Sequence, residues 1–113
     1  MQREVKKYLT DIQISISSIY DFLNGEKDFN KYKANKFLRR AIERELEIIG
    51  EATNRLLRLK PDIQISGARR IVNLRNWVIH TYDNVDDVII WGIVSRDIPV
   101  LKIEVDELLN DIA

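Results

Sequence analysis

The segment from Arg75 to Tyr82, Arg-Asn-Trp-Val-Ile-His-Thr-Tyr, holds the side chains of this chain that are best suited to chemistry. His80 is the only histidine, and an imidazole can accept or donate a proton near neutral pH. Arg75 stays charged and can bind a phosphate through two parallel hydrogen bonds. Asn76 adds a polar group that could orient the imidazole or bind a phosphate oxygen. This combination favours proton transfer beside a phosphate group.

The same segment belongs to a predicted helix whose two faces differ. At 100° per residue, an arc of about 60° collects four polar side chains, namely Arg69, Asn73, Asn76 and His80. Arg75 instead lies in the apolar arc, between Ile71 and Ile79. A guanidinium in such surroundings needs an anion or water. Glu45, in the apolar stripe of another helix, could be that anion, and a phosphate could take the same place.

Other kinds of chemistry lack the residues that they need. The chain has no cysteine and one histidine, which excludes thiolate zinc sites and histidine-rich metal sites within one chain. It has no glycine-rich phosphate loop. Glu43, Glu47 and Glu51 form an i, i+4 ladder that could hold Mg²⁺. Arg39 and Arg55 extend this ladder, so a salt-bridged surface face is the simpler interpretation. We therefore expect no metal and no cofactor.

The elements that must position these residues are predicted to be helices. Apolar residues spaced four and three apart predict a helix over about 3–23, which Asn24-Gly25 should end. A second helix is predicted over 31–59, because the residue before Pro61 avoids the helical region. Its apolar stripe comprises Ala34, Leu38, Ala41, Glu45, Ile48, Ala52, Leu56 and Leu59, widened by Phe37, Ile42 and Ile49.

The last part of the chain is predicted to be helical too. A third helix should cover about 66–80, and a fourth should begin at Asp86 or Asp87 and run through Val94. Asp97-Ile98-Pro99 interrupts the pattern, with Asp97 as a plausible N-cap for a last helix that ends near Ile112. With 113 residues, the chain is expected to form one domain, 1–113. The predicted fold class is all-α, an antiparallel bundle of four or five helices.

The charges are balanced in number but not in position. Residues 1–82 carry 16 basic and 10 acidic side chains, and residues 83–113 carry 2 and 8. The basic part could attract a polyanion, or the acidic part could pack on it and cancel its charge. No apolar run approaches the roughly 18–20 residues of a membrane span. The N-terminus has no signal-peptide pattern, so we expect a cytoplasmic protein without membrane contact.

The pattern R-x4-H-x-Y, formed by Arg75, His80 and Tyr82, resembles that of the HEPN superfamily, specifically its HepT-like branch. The stretch 41–52, Ala-Ile-Glu-Arg-Glu-Leu-Glu-Ile-Ile-Gly-Glu-Ala, is similar to the second helix of that branch. The stretch 85–99 is similar to its C-terminal third. The resemblance covers essentially the whole chain.

This resemblance implies a ribonuclease toxin that acts without metal. Such proteins are homodimers in which the two R-x4-H motifs meet in a cleft between protomers. The implied active-site residues are Arg75, Asn76 and His80, and we expect Arg69 and Asn73 of the polar stripe to contact RNA. An MntA-like nucleotidyltransferase antitoxin would silence the toxin by transferring AMP to Tyr82. The alternatives are a non-catalytic helical module that binds a nucleotidyltransferase and a purely structural bundle.

A dimer also fits the chemistry of RNA cleavage. One chain offers one histidine, yet cleavage through a 2′-hydroxyl needs both a base and an acid. A two-fold dimer supplies a second His80. Because residues i and i+5 lie about 140° apart on a helix, Arg75 and His80 cannot share one helical face. Either His80 departs from helical geometry, or each Arg75 works with groups of the partner protomer.

Overall fold

In the computed structural model of this chain, residues 2–79 and 87–112 are described, of which 74–79 are described by their backbone alone. These residues form six α-helical segments, one π-helical turn and no strand. The α-helices are α1 (Gln2–Leu23), α2 (Phe29–Ala34), α3 (Lys36–Leu59), α4 (Ala68–Ile79), α5 (Asp87–Gly92) and α6 (Ile98–Ile112), and the π-helical turn is Ile93–Asp97.

Helix α1 follows the sequence prediction closely. Its apolar stripe is buried from Val5 to Ile19. Asn24 and Gly25 both have positive φ angles, 51° and 77°. This left-handed backbone ends the helix, as the Asn-Gly pair predicts, since these residues adopt it at low cost.

The predicted second helix is divided in two. Asn35 has extended backbone angles (φ −107°, ψ 97°), and its side chain accepts a hydrogen bond from the N–H of Leu38. It thereby caps α3 and separates it from the six-residue helix α2. The carboxylate of Asp28 caps α2 in the same way, so this helix begins two residues earlier than predicted. Helix α3 ends at Leu59, directly before Lys60-Pro61, as expected.

The buried face of α3 differs from the predicted one by one residue. Its core positions are Ile42, Leu46, Ile49, Thr53 and Leu56, spaced four and three apart. The predicted stripe centred on Glu45 is therefore wrong, because Glu45 is only half-buried and its neighbour Leu46 is fully buried. Thr53 escapes a hydrophobicity pattern, but its hydroxyl donates to the carbonyl of Ile49 at 2.7 Å, which satisfies it inside the core. The prediction that Phe37 widens the apolar face is also wrong, since Phe37 is 86% exposed.

The helices pack in antiparallel pairs around one core. Arg55, near the end of α3, lies over the ring of Tyr8, near the start of α1. Gln13 of α1 donates a hydrogen bond to Asp106 of α6 at 2.9 Å. Four long helical units, α1, α3, α4 and α5 to α6, plus the short α2 confirm the predicted all-α bundle. No helix in the described ranges is both long and apolar enough to cross a membrane.

Between α5 and α6 the chain stays helical, which corrects the predicted break. The N–H of Ile98 donates to the carbonyl of Ile93, and Ile98 itself has α-helical backbone angles. Asp97 closes this π-helical turn and is not an N-cap. Pro99 has no N–H to continue the α-helical ladder, and a single wide turn accommodates such an interruption without ending the helix. Val88 and Ile89 of α5 are exposed.

Candidate active site

Helix α4, which carries Arg75 and Asn76, is held at its N-terminal end by α6. Gly67 has a φ of 68°, and its carbonyl accepts a hydrogen bond from Ile71 in the first turn. The Glu104 carboxylate of α6 accepts two hydrogen bonds from Ser66, at 2.9 Å from the backbone N–H and 3.1 Å from the hydroxyl. A carboxylate beside the N-terminus of a helix also interacts favourably with the helix dipole. These contacts fix the position at which α4 begins.

A second contact links α4 to the π-helical turn. The Arg70 guanidinium pairs with the Asp97 carboxylate at 3.1 Å. Ala68 and Ile71 point into the core with less than a tenth of their surface exposed. Arg69 and Asn73 are exposed, so the described part of the predicted polar stripe faces solvent.

The R-x4-H-x-Y motif lies at the other end of α4. Arg75 and Asn76 are in the last two turns of this helix, and only their backbone is described. His80 and Tyr82 lie outside the described residues. The relative placement of the four side chains, and a pairing of Arg75 with Glu45, therefore stay predictions.

The chain directly after residue 86 joins a half-buried cluster of ionisable groups. Asp87, the first residue of α5, pairs with Arg39 of α3 at 4.0 Å, and both side chains are 17% exposed. Burial raises the pKa of Glu43, with Asp87 adding to the increase and Arg40 opposing it. This arrangement ties the start of α5 to the N-terminal half of α3.

Tyr32 of α2 is buried next to this cluster. Its ring packs on Trp91 of α5, with 5.1 Å between the ring centroids. Among the described residues, its hydroxyl has no hydrogen-bond partner. Burial raises the pKa of the Tyr32 phenol far above its ordinary value, and the carboxylates of Glu43 and Asp87 raise it further. Tyr32 therefore stays neutral and serves as a packing residue, as its position at the start of the second predicted helix suggested.

Sequence reasoning missed the pairing of Arg39 with Asp87 and assigned Arg39 to the carboxylate ladder of α3. No local signal could have revealed it, because 48 residues separate the two partners in the chain. Sequence spacing could not predict the pairs Arg70–Asp97 and Ser66–Glu104 either, because the partners lie 27 and 38 residues apart in the chain.

The carboxylate ladder itself is a salt-bridged face, as predicted. Each carboxylate has an arginine neighbour on α3, in the pairs Arg40–Glu43 at 4.0 Å, Arg44–Glu47 at 3.1 Å and Arg55–Glu51 at 3.1 Å. Among the described residues, no three histidine, aspartate or glutamate side chains converge as the ligands of a metal ion would. The chemistry suggested by this part of the chain is that of a charged surface.

The all-α bundle, together with an R-x4-H-x-Y pattern in the sequence that starts within α4, agrees with the HEPN class of proteins that the sequence resembles. The model of the family described as "Ribonuclease HepT-like" matches residues 12–108 of this chain. The chain therefore belongs to the HepT-like ribonuclease family, which confirms the resemblance noted in its sequence.

Full-length relatives agree with this assignment. The chain is 38% identical over 109 residues to "Putative RNase MJ1380" of Methanocaldococcus jannaschii, covering 93% of this chain and 96% of the relative. It is 38% identical over 112 residues to "Probable ribonuclease HepT" of Thermococcus cleftensis, covering 96% and 98%. No solved structure matches the chain.

Proposed function

We propose that this chain is a metal-independent endoribonuclease toxin that a nucleotidyltransferase antitoxin silences. The single observation that carries the proposal is the R-x4-H-x-Y segment in a member of the HepT-like ribonuclease family. The anchoring of α4 supports it, because catalytic groups must be held in place by rigid elements. The ion pair and the two hydrogen bonds at Arg70 and Ser66 provide such support.

In the proposed reaction His80 takes the proton of a ribose 2′-hydroxyl, and the 2′-oxygen attacks the neighbouring phosphorus. A new 2′-O–P bond forms, and the bond from phosphorus to the 5′-oxygen breaks. The leaving oxygen takes a proton from an acid, so the products are a 2′,3′-cyclic phosphate and a 5′-hydroxyl. Arg75 stabilises the additional negative charge on the phosphate oxygens in the transition state, and Asn76 orients the imidazole or a phosphate oxygen.

The acid in this scheme is His80 of the partner subunit, so the proposed enzyme is a homodimer. A single chain cannot supply a second imidazole, because His80 is the only histidine of the sequence. Two-fold symmetry would place a base and an acid in one cleft. The exposed Arg69 and Asn73 of α4 would then contact the RNA beside the scissile phosphate.

Regulation is proposed to act through Tyr82, two residues after His80. An MntA-like nucleotidyltransferase would transfer AMP from ATP to the phenol oxygen and release pyrophosphate. A bulky anionic group at this position would repel RNA from the active site. The RNA substrate and the ATP-dependent partner place the proposed activity in the cytoplasm.

The test is cleavage of bulk RNA in the presence of EDTA. We expect cleavage to persist in EDTA, and His80→Ala and Arg75→Ala each to lose at least about 10²-fold in rate, the low end for a general acid–base group. Arg58→Ala, an exposed arginine of α3, is the matched control and should cleave as the wild type does. The products should carry 2′,3′-cyclic phosphates. Activity that disappears in EDTA and returns with Mg²⁺ would refute the proposal.

The alternative, a non-catalytic module that binds a nucleotidyltransferase, would give a different result. Such a protein would bind its partner but leave RNA intact under all conditions. The same RNA assay therefore separates the two functions, and co-purification with a nucleotidyltransferase separates the second from a purely structural bundle.

A further inference from the structure

Phe37, in the first turn of α3, is 86% exposed, more than any other large apolar side chain of the described residues. Arg40 and Arg44 follow it at i+3 and i+7, which places the three side chains within an arc of about 60°. The two arginine side chains are 64% and 69% exposed. Lys36 is exposed beside them. We call Lys36, Phe37, Arg40 and Arg44 the α3 surface.

The α3 surface is strongly basic. Residues 27–44 contain seven lysines and arginines but only two acidic residues, Asp28 and Glu43. Asp28 is engaged in capping α2. Glu43 lies 4.0 Å from Arg40, and Glu47 lies 3.1 Å from Arg44. The arginine side chains are largely exposed while Glu43 and Glu47 are 15% and 31% exposed, so a phosphate can approach each guanidinium from the solvent side.

The basic character ends where α3 meets the groove that it forms with α1. This groove has a volume of about 550 Å³ and contains Asp11, Glu47 and Glu51 among its lining residues. Its cations, Lys7, Arg44 and Arg55, are paired with Asp11, Glu47 and Glu51 at 3.0, 3.1 and 3.1 Å, so Arg44 lies at the edge shared by the groove and the α3 surface. The groove is therefore close to neutral, and an anion has no electrostatic reason to extend into it from Arg44.

Helix α3 contacts the start of α5 on a different side from the α3 surface. Arg39, between Phe37 and Arg40, pairs with Asp87, and Asp87 follows residues 80–86 directly in the sequence. Val88, the next residue of α5, is exposed. Phe37 and Arg39 lie about 160° apart around α3, so the α3 surface faces outward while the pair of Arg39 and Asp87 faces α5.

We propose that the α3 surface binds single-stranded RNA, with Phe37 stacked on a base and Lys36, Arg40 and Arg44 on phosphates. An aromatic ring among cations is the arrangement with which proteins bind single strands of any sequence. A protein partner is the alternative occupant, because phenylalanine and arginine are also enriched at protein interfaces, and the salt dependence of RNA binding decides between the two. The assignment of RNA as the ligand of the α3 surface rests on the proposed ribonuclease function.

The test is a binding titration that does not depend on cleavage. A fluorescein-labelled single-stranded RNA of twelve nucleotides is titrated with the His80→Ala protein, which leaves the RNA intact, and the Kd is read from anisotropy. Adding Phe37→Ala should weaken binding by about 5- to 150-fold, the range found for loss of one stacked base. Phe37→Leu should weaken it comparably, because leucine keeps an apolar side chain but offers no ring. Phe37→Trp should bind at least as tightly as Phe37.

The arginines are tested by the salt dependence of the same Kd. Arg40→Gln and Arg44→Gln should each reduce the slope of log Kd against log salt by about 0.7, the value for one phosphate contact on a single strand. Arg58→Gln, an exposed arginine fourteen residues after Arg44 and about 21 Å away along α3, is the matched control and should leave slope and Kd unchanged. Because all these side chains are exposed, the variants should fold as the wild type does.

The outcomes separate this proposal from the proposed function. If the protein with His80 intact cleaves RNA but the α3 variants bind and cleave as the wild type does, the α3 surface is wrong and the ribonuclease stands. If no RNA is cleaved but the α3 variants lose affinity, the surface stands and the ribonuclease fails. Unchanged salt slopes, together with a lower molar mass of Phe37→Ala in sedimentation velocity, would overturn the proposal and identify a contact between copies of the chain.

Discussion

Removal of the Glu104 side chain should loosen the N-terminal end of α4 and thereby reduce both stability and activity. In Glu104→Ala the backbone N–H and the hydroxyl of Ser66 lose their common acceptor. A hydrogen bond contributes about 0.5–1.5 kcal/mol to stability. Because Ser66 is exposed and water can replace part of the loss, we expect a decrease of about 1–2 kcal/mol in the free energy of unfolding.

This loss can be measured as a change in Tm. For 113 residues, the usual unfolding entropy per residue converts 1 kcal/mol into about 4 °C. Glu104→Ala should therefore melt about 4–8 °C below the wild type. Ser66→Ala removes only one of the two hydrogen bonds and should show about half of this decrease. Circular dichroism at 222 nm is the assay, because the fold is helical.

Glu107→Ala is the matched control, since Glu107 is an exposed glutamate one turn later on α6. RNA cleavage should fall more in Glu104→Ala than in this control, because α4 carries Arg75 and Asn76 at its other end. Equal melting temperatures and equal cleavage rates for the two variants would refute the reasoning that Glu104 anchors α4. Equal melting temperatures with unequal cleavage would refute the energetic estimate and leave only the effect on the site.

Three further predictions concern other parts of the molecule. Tyr82→Phe should cleave RNA as the wild type does but escape silencing by the cognate nucleotidyltransferase and ATP. Mass spectrometry should find AMP on the peptide of the wild type that contains Tyr82. An adduct on a different residue would contradict this prediction. Glu43→Gln should be more stable than the wild type at pH 7. Burial raises the pKa of Glu43 in the folded state. Deprotonation of this carboxyl group therefore destabilises the fold as the pH rises through the unfolded and folded pKa values. Urea titrations should show that the difference in unfolding free energy between Glu43→Gln and the wild type vanishes below about pH 4. Leu46→Ala, at a fully buried position, should cost about 2–5 kcal/mol, whereas an equal truncation at the exposed Ile103 should cost far less.

The helical periodicity of the sequence was sufficient for α1, because its buried positions are all apolar except for one serine. It was not sufficient for α3. Thr53 is buried because the backbone carbonyl of Ile49 satisfies its hydroxyl, and a hydrophobicity pattern cannot represent such a position. The prediction also counted Glu45 as a core position where its neighbour Leu46 is the buried residue. This choice rotated the predicted buried face of α3 by one residue. That rotation also hid the exposure of Phe37.

The candidate site divides in the same way between local and long-range information. The R-x4-H-x-Y motif is a local pattern, and the family assignment that it predicted is confirmed by the match over residues 12–108. The contacts that hold α4 join Ser66 to Glu104 and Arg70 to Asp97, 38 and 27 residues apart. Their residue types are ordinary for a surface, so nothing in their spacing distinguishes them. Only the tertiary fold, which brings the start of α4 next to α6 and the π-helical turn, places these partners together.

Contacts between the helices partly neutralise the uneven charge distribution of the sequence. Two carboxylates of the acidic C-terminal part, Asp87 and Asp97, pair with Arg39 and Arg70 of the basic part, so the acidic part does cancel some of the basic charge, as one of the two initial interpretations held. Two carboxylates of α6 are engaged elsewhere, Glu104 with Ser66 at 3.1 Å and Asp106 with Lys102 at 2.8 Å. None of these four contacts reaches the α3 surface. Arg39 and Arg70 are thus neutralised by contacts between helices. Arg40 and Arg44 of the α3 surface instead pair with carboxylates of their own helix and stay largely exposed, so they remain accessible to a polyanion that approaches within about one Debye length.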